Sequence, residues 1–202
     1  MKSSLFGLLA AGLLMPGMAL ADPAAASTGA PAADSFSYST LEVNQLGVRS
    51  NFFDDRSSGR GLKFSYDSAD MVYVLAQWNH LNFDRLPGSH NVYGLGLGAH
   101  QAYNPDVSFY IDASFMRDQL DAKLGSAVDD YWRVNYGFRS HVNSVLEFDG
   151  AIFTERSTDF GRRPFGEHLG FGLDFGPISV MGAAEHTADG NRTQISLVWS
   201  YR

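Results

Sequence analysis

The ten residues before the C-terminal arginine alternate between the two sides of an extended strand, and this alternation limits what the chain can fold into. Successive side chains of a strand point to opposite faces. The apolar face carries Thr193, Ile195, Leu197, Trp199 and Tyr201, and the polar face carries Gln194, Ser196, Val198 and Ser200. An apolar face suits lipid and a polar face suits a small lumen. The segment therefore predicts the last strand of a transmembrane β-barrel.

The start of the chain predicts a signal peptide over residues 1–21. It contains, in order, Lys2, an apolar run from Leu5 to Leu14, a Pro16-Gly17 break and the sequence Ala19-Leu20-Ala21, which has the form of a signal-peptidase site. Ten apolar residues are too few for a helix that spans a bilayer, which needs about 20. Residues 22–34 are rich in Ala and Pro and predict a flexible linker. We expect residues 35–202 to form the barrel.

The composition fits an exported protein and argues against a nucleic-acid partner. The chain has no cysteine, so neither disulfides nor thiolate metal ligands are available. Its formal net charge is -7, and Arg162-Arg163 is its only basic pair. Because neutralisation of nucleic-acid phosphates needs clustered Lys and Arg, we expect no nucleic acid to bind.

Ten segments alternate apolar and polar side chains over about ten residues each, which predicts ten strands. Ten residues at about 3.3 Å each, tilted near 45°, cover roughly the 25 Å apolar band of an outer-membrane barrel. The predicted fold is an all-β, ten-stranded, antiparallel up-and-down transmembrane β-barrel in the bacterial outer membrane. The predicted strands lie around 62–66, 93–99, 132–138 and 192–201, and at roughly 36–48, 71–81, 107–117, 145–155, 165–175 and 178–187.

The connections between these segments alternate between short and long. Turn-forming sequences occupy residues 68–70, 104–106, 141–144 and 176–177. Longer polar stretches occupy residues 50–58, 82–90, 118–128 and 156–164. Outer-membrane barrels have short periplasmic turns and longer external loops. With both termini in the periplasm the strand number must be even; ten satisfies this, and eight would require two of the segments to be loops.

Charged residues at alternate strand positions predict a charged lumen. An Arg or Lys on the lipid face near the midplane costs about 2–4 kcal/mol, so parity assigns these residues to the interior. The inward set is Glu42, Lys63, Asp112, Arg133, Arg139, Glu147, Asp149, Asp174 and Glu185. In a narrow barrel such charges should pair, because a lone desolvated charge is costly. The predicted pairs are Arg139–Glu147, which flank a short turn, Lys63–Glu42 and Arg133–Asp112.

The sequence leaves two uses of this lumen open. The network either fills and rigidifies a closed interior or lines a narrow channel. Inward glycines leave room for water or for bulky neighbours: Gly94, Gly96, Gly98, Gly170 and Gly172. Ten strands lie just above the size at which side chains fill the bore, and far below the 16 to 18 of porins with an aqueous channel. Three inward cations against six inward acids predict weak cation selectivity if a channel exists.

Signals for catalysis are weak. His186-Thr187, and Asp84 with His80 or His90, are the groupings that could belong to a membrane-embedded hydrolase. A deacylase of this size would need a His-x-Ser arrangement with a supporting carboxylate, which the sequence lacks. We therefore predict no enzyme activity, no catalytic residue and no cofactor.

The adjacent acidic residues and the loop arginines can be explained without a specific metal site. Asp54-Asp55 and Asp129-Asp130 are neighbours that diverge on a strand or loop edge, so they indicate solvated rim charges rather than calcium ligands. We predict no metal site. Arg156, Arg162 and Arg163 share one predicted external loop, where they either contact lipopolysaccharide phosphates or remain solvated.

Aromatic residues lie toward the ends of the predicted strands, as expected of the two interfacial girdles of a membrane barrel. These residues are Phe36, Tyr38, Tyr66, Trp78, Tyr103, Phe109, Phe138, Phe175 and Tyr201. They are not interleaved with basic residues on one face, as a platform for stacking nucleic-acid bases would require.

The C-terminal strand resembles the signal that the barrel-assembly machinery reads, through Gln194, Ser196, Trp199 and Tyr201; unlike most such signals, it is followed by Arg202. The region 36–201 resembles the small outer-membrane barrels of the OmpX and opacity-protein class. It is especially similar to a ten-stranded family regulated by a diffusible signal factor, through residues 59–66 and 130–137. The resemblance implies a surface-exposed barrel with a role in envelope integrity, adhesion or biofilm behaviour.

These observations predict a structural or surface-interaction protein that acts as a monomer. Its expected partners are outer-membrane lipid, lipopolysaccharide and the barrel-assembly machinery. The first alternative is a narrow, weakly cation-selective channel, and the second is a membrane-embedded hydrolase. A soluble periplasmic barrel of the lipocalin type, with aliphatic side chains inside and charges outside, is a further possibility.

Overall fold

Ten antiparallel strands close into one barrel in the computed structural model, which describes residues 36–50, 56–69, 71–84, 87–123, 125–158 and 164–201. The predicted signal peptide and linker lie outside the described residues. The predicted fold class is confirmed. The strands are β1 (Thr40–Ser50), β2 (Arg56–Ala69), β3 (Val72–Phe83), β4 (Gly88–Asn104), β5 (Val107–Ala122), β6 (Gly125–His141), β7 (Leu146–Ser157), β8 (Phe165–Asp174), β9 (Ile178–Thr187) and β10 (Gly190–Ser200).

Each strand pairs with its neighbours in sequence, and β1 closes the barrel against β10. The closing pair begins at Thr40 opposite Ser200, so the start of β1 and the end of β10 lie at the same end of the barrel. The short turns after β2, β4, β6 and β8 lie at that end too. We call it the periplasmic end, because outer-membrane barrels place their short turns in the periplasm. The opposite end is called the external end.

The outward faces of the strands carry large apolar side chains that remain exposed. Ile195, Leu95 and Leu97 are 62–70% exposed, although a water-soluble protein would bury most such residues. Polar and charged side chains occupy many of the alternating inward positions, together with buried apolar side chains such as Leu81 and Met116. The soluble, ligand-binding barrel with its faces reversed is therefore wrong, and the apolar belt faces lipid. No helix in the described part of the chain is long and apolar enough to cross a membrane.

Three adjacent strands are much longer than the predicted ten residues. The lengths of β4, β5 and β6 are 17, 16 and 17 residues. The prediction of a long loop over 118–128 is wrong, because Ala122 and Gly125 are still paired across the hairpin. The predicted loops 50–58 and 82–90 likewise contain strand residues. Beyond the lipid both faces of a strand meet water, so backbone pairing continues there without the apolar alternation that identifies a strand in sequence.

The apolar belt ends abruptly on the β5–β6 hairpin. Phe115 and Trp132 are cross-strand partners whose rings meet edge to face at 5.5 Å. The next outward pair toward the external end is Arg117 and Asp130, which form two hydrogen bonds of 2.8 Å. The remaining residues of the hairpin, up to the turn at Lys123, project beyond the belt. Gly125 has a φ of +142°, in the left-handed region that favours glycine.

Candidate functional site

The lumen contains two cavities, and all nine inward charges predicted from sequence line one or both of them. A cavity of about 190 Å³ occupies the middle of the barrel and is lined by Glu42, Lys63, Asp112, Arg133, Arg139, Asp149 and Glu185, among others. A second cavity of about 390 Å³ lies at the periplasmic mouth and is lined by Arg139, Glu147 and Asp174, among others. Parity along each strand places these residues inside, because neighbouring positions face the lipid.

Arg133 ties three parts of the lumen wall together. Its Nη2 lies 2.7 Å from Oε1 of Glu185, and its Nη1 lies 3.3 Å from Oε1 of Glu155. Glu185 is on β9, three strands away from β6. This ion pair therefore spans the lumen between two strands that are not adjacent. The guanidinium also lies over the ring of Phe153, 3.8 Å from its centroid. The bore is therefore obstructed at this level by a paired and desolvated side chain.

Two further side chains extend the network around Glu185. Arg192 Nη1 lies 3.5 Å from Oε2 of Glu185. His168 lies 3.4 Å from carboxylates on both sides, Asp149 Oδ2 and Glu185 Oε1. The sequence analysis missed His168, Arg192 and Glu155. All three occupy inward positions in phase with the predicted set, so strand parity could have identified them.

The predicted Arg133–Asp112 pair is wrong. The register of β5 and β6 places Asp112 opposite Asn135 and places Ser114 opposite Arg133. Asn135 accordingly donates a hydrogen bond of 2.6 Å to Asp112. Arg133 is directed away from Asp112 toward Glu155 and Glu185. The two-residue shift follows from the hairpin turn, whose position the sequence analysis did not locate.

Lys63 and Glu42 lie opposite each other as predicted, but these two described residues do not form the expected ion pair. The two residues are cross-strand neighbours on β1 and β2. However, Glu42 accepts hydrogen bonds from Gln194 and from Ser196, the latter at 2.6 Å. Among the described residues, no ion pair within 4.0 Å joins Lys63 to Glu42. The amide and hydroxyl of the last strand take the position that the ammonium was expected to occupy.

Aromatic side chains brace the lumen by passing over glycines of the intervening strand. Tyr73 on β3 reaches over Gly98 on β4 and donates a hydrogen bond of 3.2 Å to Asp112 on β5. Tyr110 on β5 reaches over Gly137 on β6 and donates a hydrogen bond of 3.1 Å to Asp149 on β7. A Cβ atom on Gly98 would lie 2.2 Å from the Tyr73 ring. Gly98 thus makes room for a bulky neighbour rather than for water.

The chain before β1 enters the barrel and closes its periplasmic mouth. Phe36 and Tyr38 are each only 6% exposed, so their prediction as girdle residues on a strand over 36–48 is wrong. Tyr38 stacks on His100 at 3.9 Å between ring centroids, and its hydroxyl lies 3.0 Å from Oγ of Ser108. Burial of two aromatic rings supplies the driving force for this inward turn. We call residues 36–39 the plug segment.

Arg139 holds the plug segment in place. Its Nη1 donates a hydrogen bond of 3.0 Å to the carbonyl of Ser37, and its guanidinium lies 4.9 Å from the centroid of Phe36. Its Nε donates a hydrogen bond of 2.7 Å to Oε1 of Glu147, the predicted partner across the short turn. The plug segment, β6 and β7 are therefore joined by one guanidinium.

The four residues of the predicted assembly signal divide between the two faces of β10 and its end. Gln194 and Ser196 face the lumen and bind Glu42. Trp199 is 56% exposed on the lipid face. Tyr201 donates a hydrogen bond of 3.0 Å to the carbonyl of Ser65 and so secures the closing strand. Their recognition by the assembly machinery stays a prediction.

The histidines considered for catalysis lie at the external end of the barrel, where each contacts a polar side chain of the neighbouring strand. His186 and His80 each contact the amide oxygen of an asparagine on the neighbouring strand. His90 contacts Asp118. Asp129 and Asp130 diverge as neighbours on a strand should, although neither is merely solvated: Asp129 accepts a hydrogen bond from Ser157, and Asp130 binds Arg117.

Comparison with known proteins agrees with the fold and with nothing more specific. No family model matches the chain, and no curated protein matches it. The solved structures similar to it include the NanC porin, with 11% identity, a TM-score of 0.54, and coverage of 80% of this chain and 100% of that one. The KdgM porin in complex with disordered oligogalacturonate has 6% identity and a TM-score of 0.45, covering 81% and 99%. Neisserial surface protein A has 10% identity and a TM-score of 0.40, covering 80% and 95%.

These similarities, at such low identity, concern the fold alone. Together with the lipid-facing belt, the fold places the chain in the bacterial outer membrane.

Proposed function

We propose that the chain is a closed, non-conducting outer-membrane barrel that serves as a structural and surface-interaction protein. The observation that carries this proposal is the double obstruction of the bore. The Arg133–Glu185 ion pair crosses the middle of the lumen, and the plug segment packs inside the barrel beside the cavity at the periplasmic mouth. A lumen so occupied rigidifies the wall and leaves the external surface as the part available for contacts.

The β5–β6 hairpin is the surface that we assign to those contacts. It projects beyond the belt, and Ser126, Ala127 and Val128 near its tip are exposed. An exposed, strand-paired hairpin presents a rigid surface, which suits adhesion or biofilm behaviour better than a mobile loop does. The closed sheet leaves no free barrel edge to pair with another chain, which favours a monomer.

Lipopolysaccharide is the lipid partner that we propose for the outer leaflet. Arg49 and Arg56 lie directly opposite each other on β1 and β2, and both are exposed. Arg60 is exposed on the same outward face, next to the belt residue Leu62. Guanidinium groups on this outward face would bind lipopolysaccharide phosphates through bidentate hydrogen bonds. Of the loop arginines considered from sequence, Arg156 is exposed, and Arg162 and Arg163 lie outside the described residues.

The adhesion role is tested by shortening the hairpin. Residues 119–128 are replaced by Asn-Gly, a two-residue turn that keeps Asp118 opposite Asp129. Bacteria that display either form at equal surface density are compared for attachment to a solid surface. We expect the shortened form to lose most of the attachment. Equal attachment by the two forms would contradict the proposed role of the hairpin.

A narrow, weakly cation-selective channel is the second candidate, and the two cavities favour it. Ser37 and Arg139 line both cavities, so release of the plug segment would join them. Single-channel recording in planar bilayers decides between the candidates. We expect no current from the wild-type chain, from Tyr103→Ala, an exposed control, or from Tyr38→Ala, because the Arg133–Glu185 ion pair still crosses the bore. Cation-selective steps from Tyr38→Ala would favour the channel. Steady steps from the wild-type chain would establish the channel instead.

A membrane-embedded hydrolase has the least support. The external histidines contact amides or a single carboxylate, and the hydroxyl of Thr187, next to His186, is hydrogen-bonded to the backbone of the β9–β10 turn. We propose no catalytic residue.

A further inference from the structure

Three side chains converge at the periplasmic mouth, outside the charge network that braces the middle of the lumen. His141 comes from the end of β6, Glu147 from the start of β7 and Asp174 from the end of β8. Their ligand atoms lie within 4.8 Å of one another. His141 Nε2 is 3.9 Å from Oε2 of Glu147 and 3.8 Å from Oδ2 of Asp174. These distances are too long for direct hydrogen bonds.

The two separations from His141, 3.9 and 3.8 Å, suit donor atoms around a small divalent cation. Histidine nitrogen and carboxylate oxygen bind zinc at about 2.0–2.2 Å, so ligand atoms on the same ion lie about 3–4 Å apart. We propose that His141, Glu147 and Asp174 form a zinc site at the periplasmic mouth of the barrel. Three protein ligands leave one position of a tetrahedral ion open to water from the adjoining cavity of about 390 Å³.

The surroundings orient each ligand toward the common point. Arg139 binds Oε1 of Glu147 and leaves Oε2 directed at His141. The amide of Gly176 donates a hydrogen bond of 2.9 Å to Oδ1 of Asp174 and leaves Oδ2 directed at the same nitrogen. The ring of Phe36 stacks on His141 at 4.2 Å between centroids and fixes the plane of the imidazole. Such supporting contacts are typical of metal ligands.

The carboxylates of the three-residue cluster give the periplasmic mouth the negative charge that attracts a cation. Glu147 and Asp174 carry two negative charges, and Arg139 offsets one of them. A zinc ion would more than offset the remaining charge, because it would change the net charge of these groups from -1 to +1. Because Phe36 belongs to the plug segment, metal binding at His141 would also secure the plug.

Zinc binding to the full chain, refolded in detergent, tests the proposal. Isothermal titration calorimetry with zinc chloride at pH 7.5, and absorption spectroscopy with cobalt as a coloured substitute, measure affinity and coordination. We expect one zinc ion per chain, and at least tenfold weaker binding for His141→Ala and for Asp174→Asn. His186→Ala, which removes an exposed histidine at the opposite end of the barrel, should bind like the wild type.

Heat-modifiable electrophoretic mobility establishes that each variant is folded before titration, and Asp174→Asn supplies the conservative change if His141→Ala does not fold. Absence of saturable zinc binding by the folded wild type would overturn the proposal. Unchanged affinity in both variants would overturn it as well.

Discussion

At the scale of single residues, inward glycines determine where an aromatic ring can lie over the neighbouring strand. Gly98, Gly137 and Gly166 each lie beneath a ring from a neighbouring strand, so that a Cβ atom would approach the ring to 2.2–2.5 Å. A glycine in a strand interior costs stability by itself, and close approach of a neighbour compensates for that cost. The glycines and the aromatic residues are thus one packing device.

We predict that Gly98→Ala destabilises the barrel by about 1–3 kcal/mol, the usual cost of overpacking. Tyr73 cannot easily move aside, because it is 5% exposed and bound to Asp112. Urea unfolding in lipid vesicles, followed by tryptophan fluorescence, measures the change. Gly182→Ala is the matched control, since nothing lies within 4 Å of its added methyl group. An equal effect of the two substitutions would contradict the packing argument.

Also at the scale of single residues, burial determines how much an ion pair contributes to stability. We predict that Arg133→Gln destabilises the barrel by about 3 kcal/mol, because Glu155 loses the guanidinium that it binds in the lumen, while Glu185 keeps Arg192 and His168. The control is Arg117→Gln, which removes a bidentate arginine of similar geometry from the exposed hairpin and should have little effect. The same unfolding measurement compares them. The argument fails if Arg117→Gln has the larger effect.

At the scale of elements, the long strands pass from a part that faces lipid into a part that lies in water. Within the belt, β5 and β6 alternate lipid-facing and lumen-facing residues, and near the tip of the hairpin the consecutive residues Ser126, Ala127 and Val128 are all exposed. The hairpin keeps its cross-strand pairing through this change, up to Ala122 opposite Gly125. Pairing depends on the backbone, while alternation depends on what surrounds the side chains.

We predict that a peptide tag inserted after Lys123 is reachable by antibody on intact cells. The same tag inserted at the Pro105-Asp106 turn should be reachable only after the outer membrane is permeabilised, because that turn lies at the periplasmic end. Tolerance of both insertions is expected, since each lies at an exposed turn. Labelling of the second tag on intact cells would mean that the barrel is oriented the other way.

At the scale of the whole molecule, closure turns ten weakly amphipathic strands into a membrane protein. Every strand has two partners, so no strand edge is left open in the belt. The outside then meets hydrocarbon and the inside holds a network of charges. Neither face would be stable without the other, because the charges need shelter from lipid and the aliphatic side chains need shelter from water.

Single-cysteine variants test this arrangement, since the chain has no native thiol. We predict that bimane attached at Leu97→Cys is strongly quenched by brominated lipid, because Leu97 is 62% exposed on the belt. Bimane at Lys63→Cys, which lines the lumen, should be quenched much less. Equal quenching at the two positions would contradict the assignment of the faces.

The sequence by itself determined the strand number, the closed fold and, in every strand except β3 and β9, the side that faces lipid. These features follow from local alternation, because a charge such as Arg133 or Glu185 can be sheltered only inside. Tertiary structure alone decided which charges meet, how far the strands extend and where the plug segment lies. Arg133 binds Glu185 across the bore, and Tyr38 turns inward, because barrel closure brings together residues that are distant along the chain. Local periodicity fixes the direction of a side chain, and only the closed barrel determines what it meets.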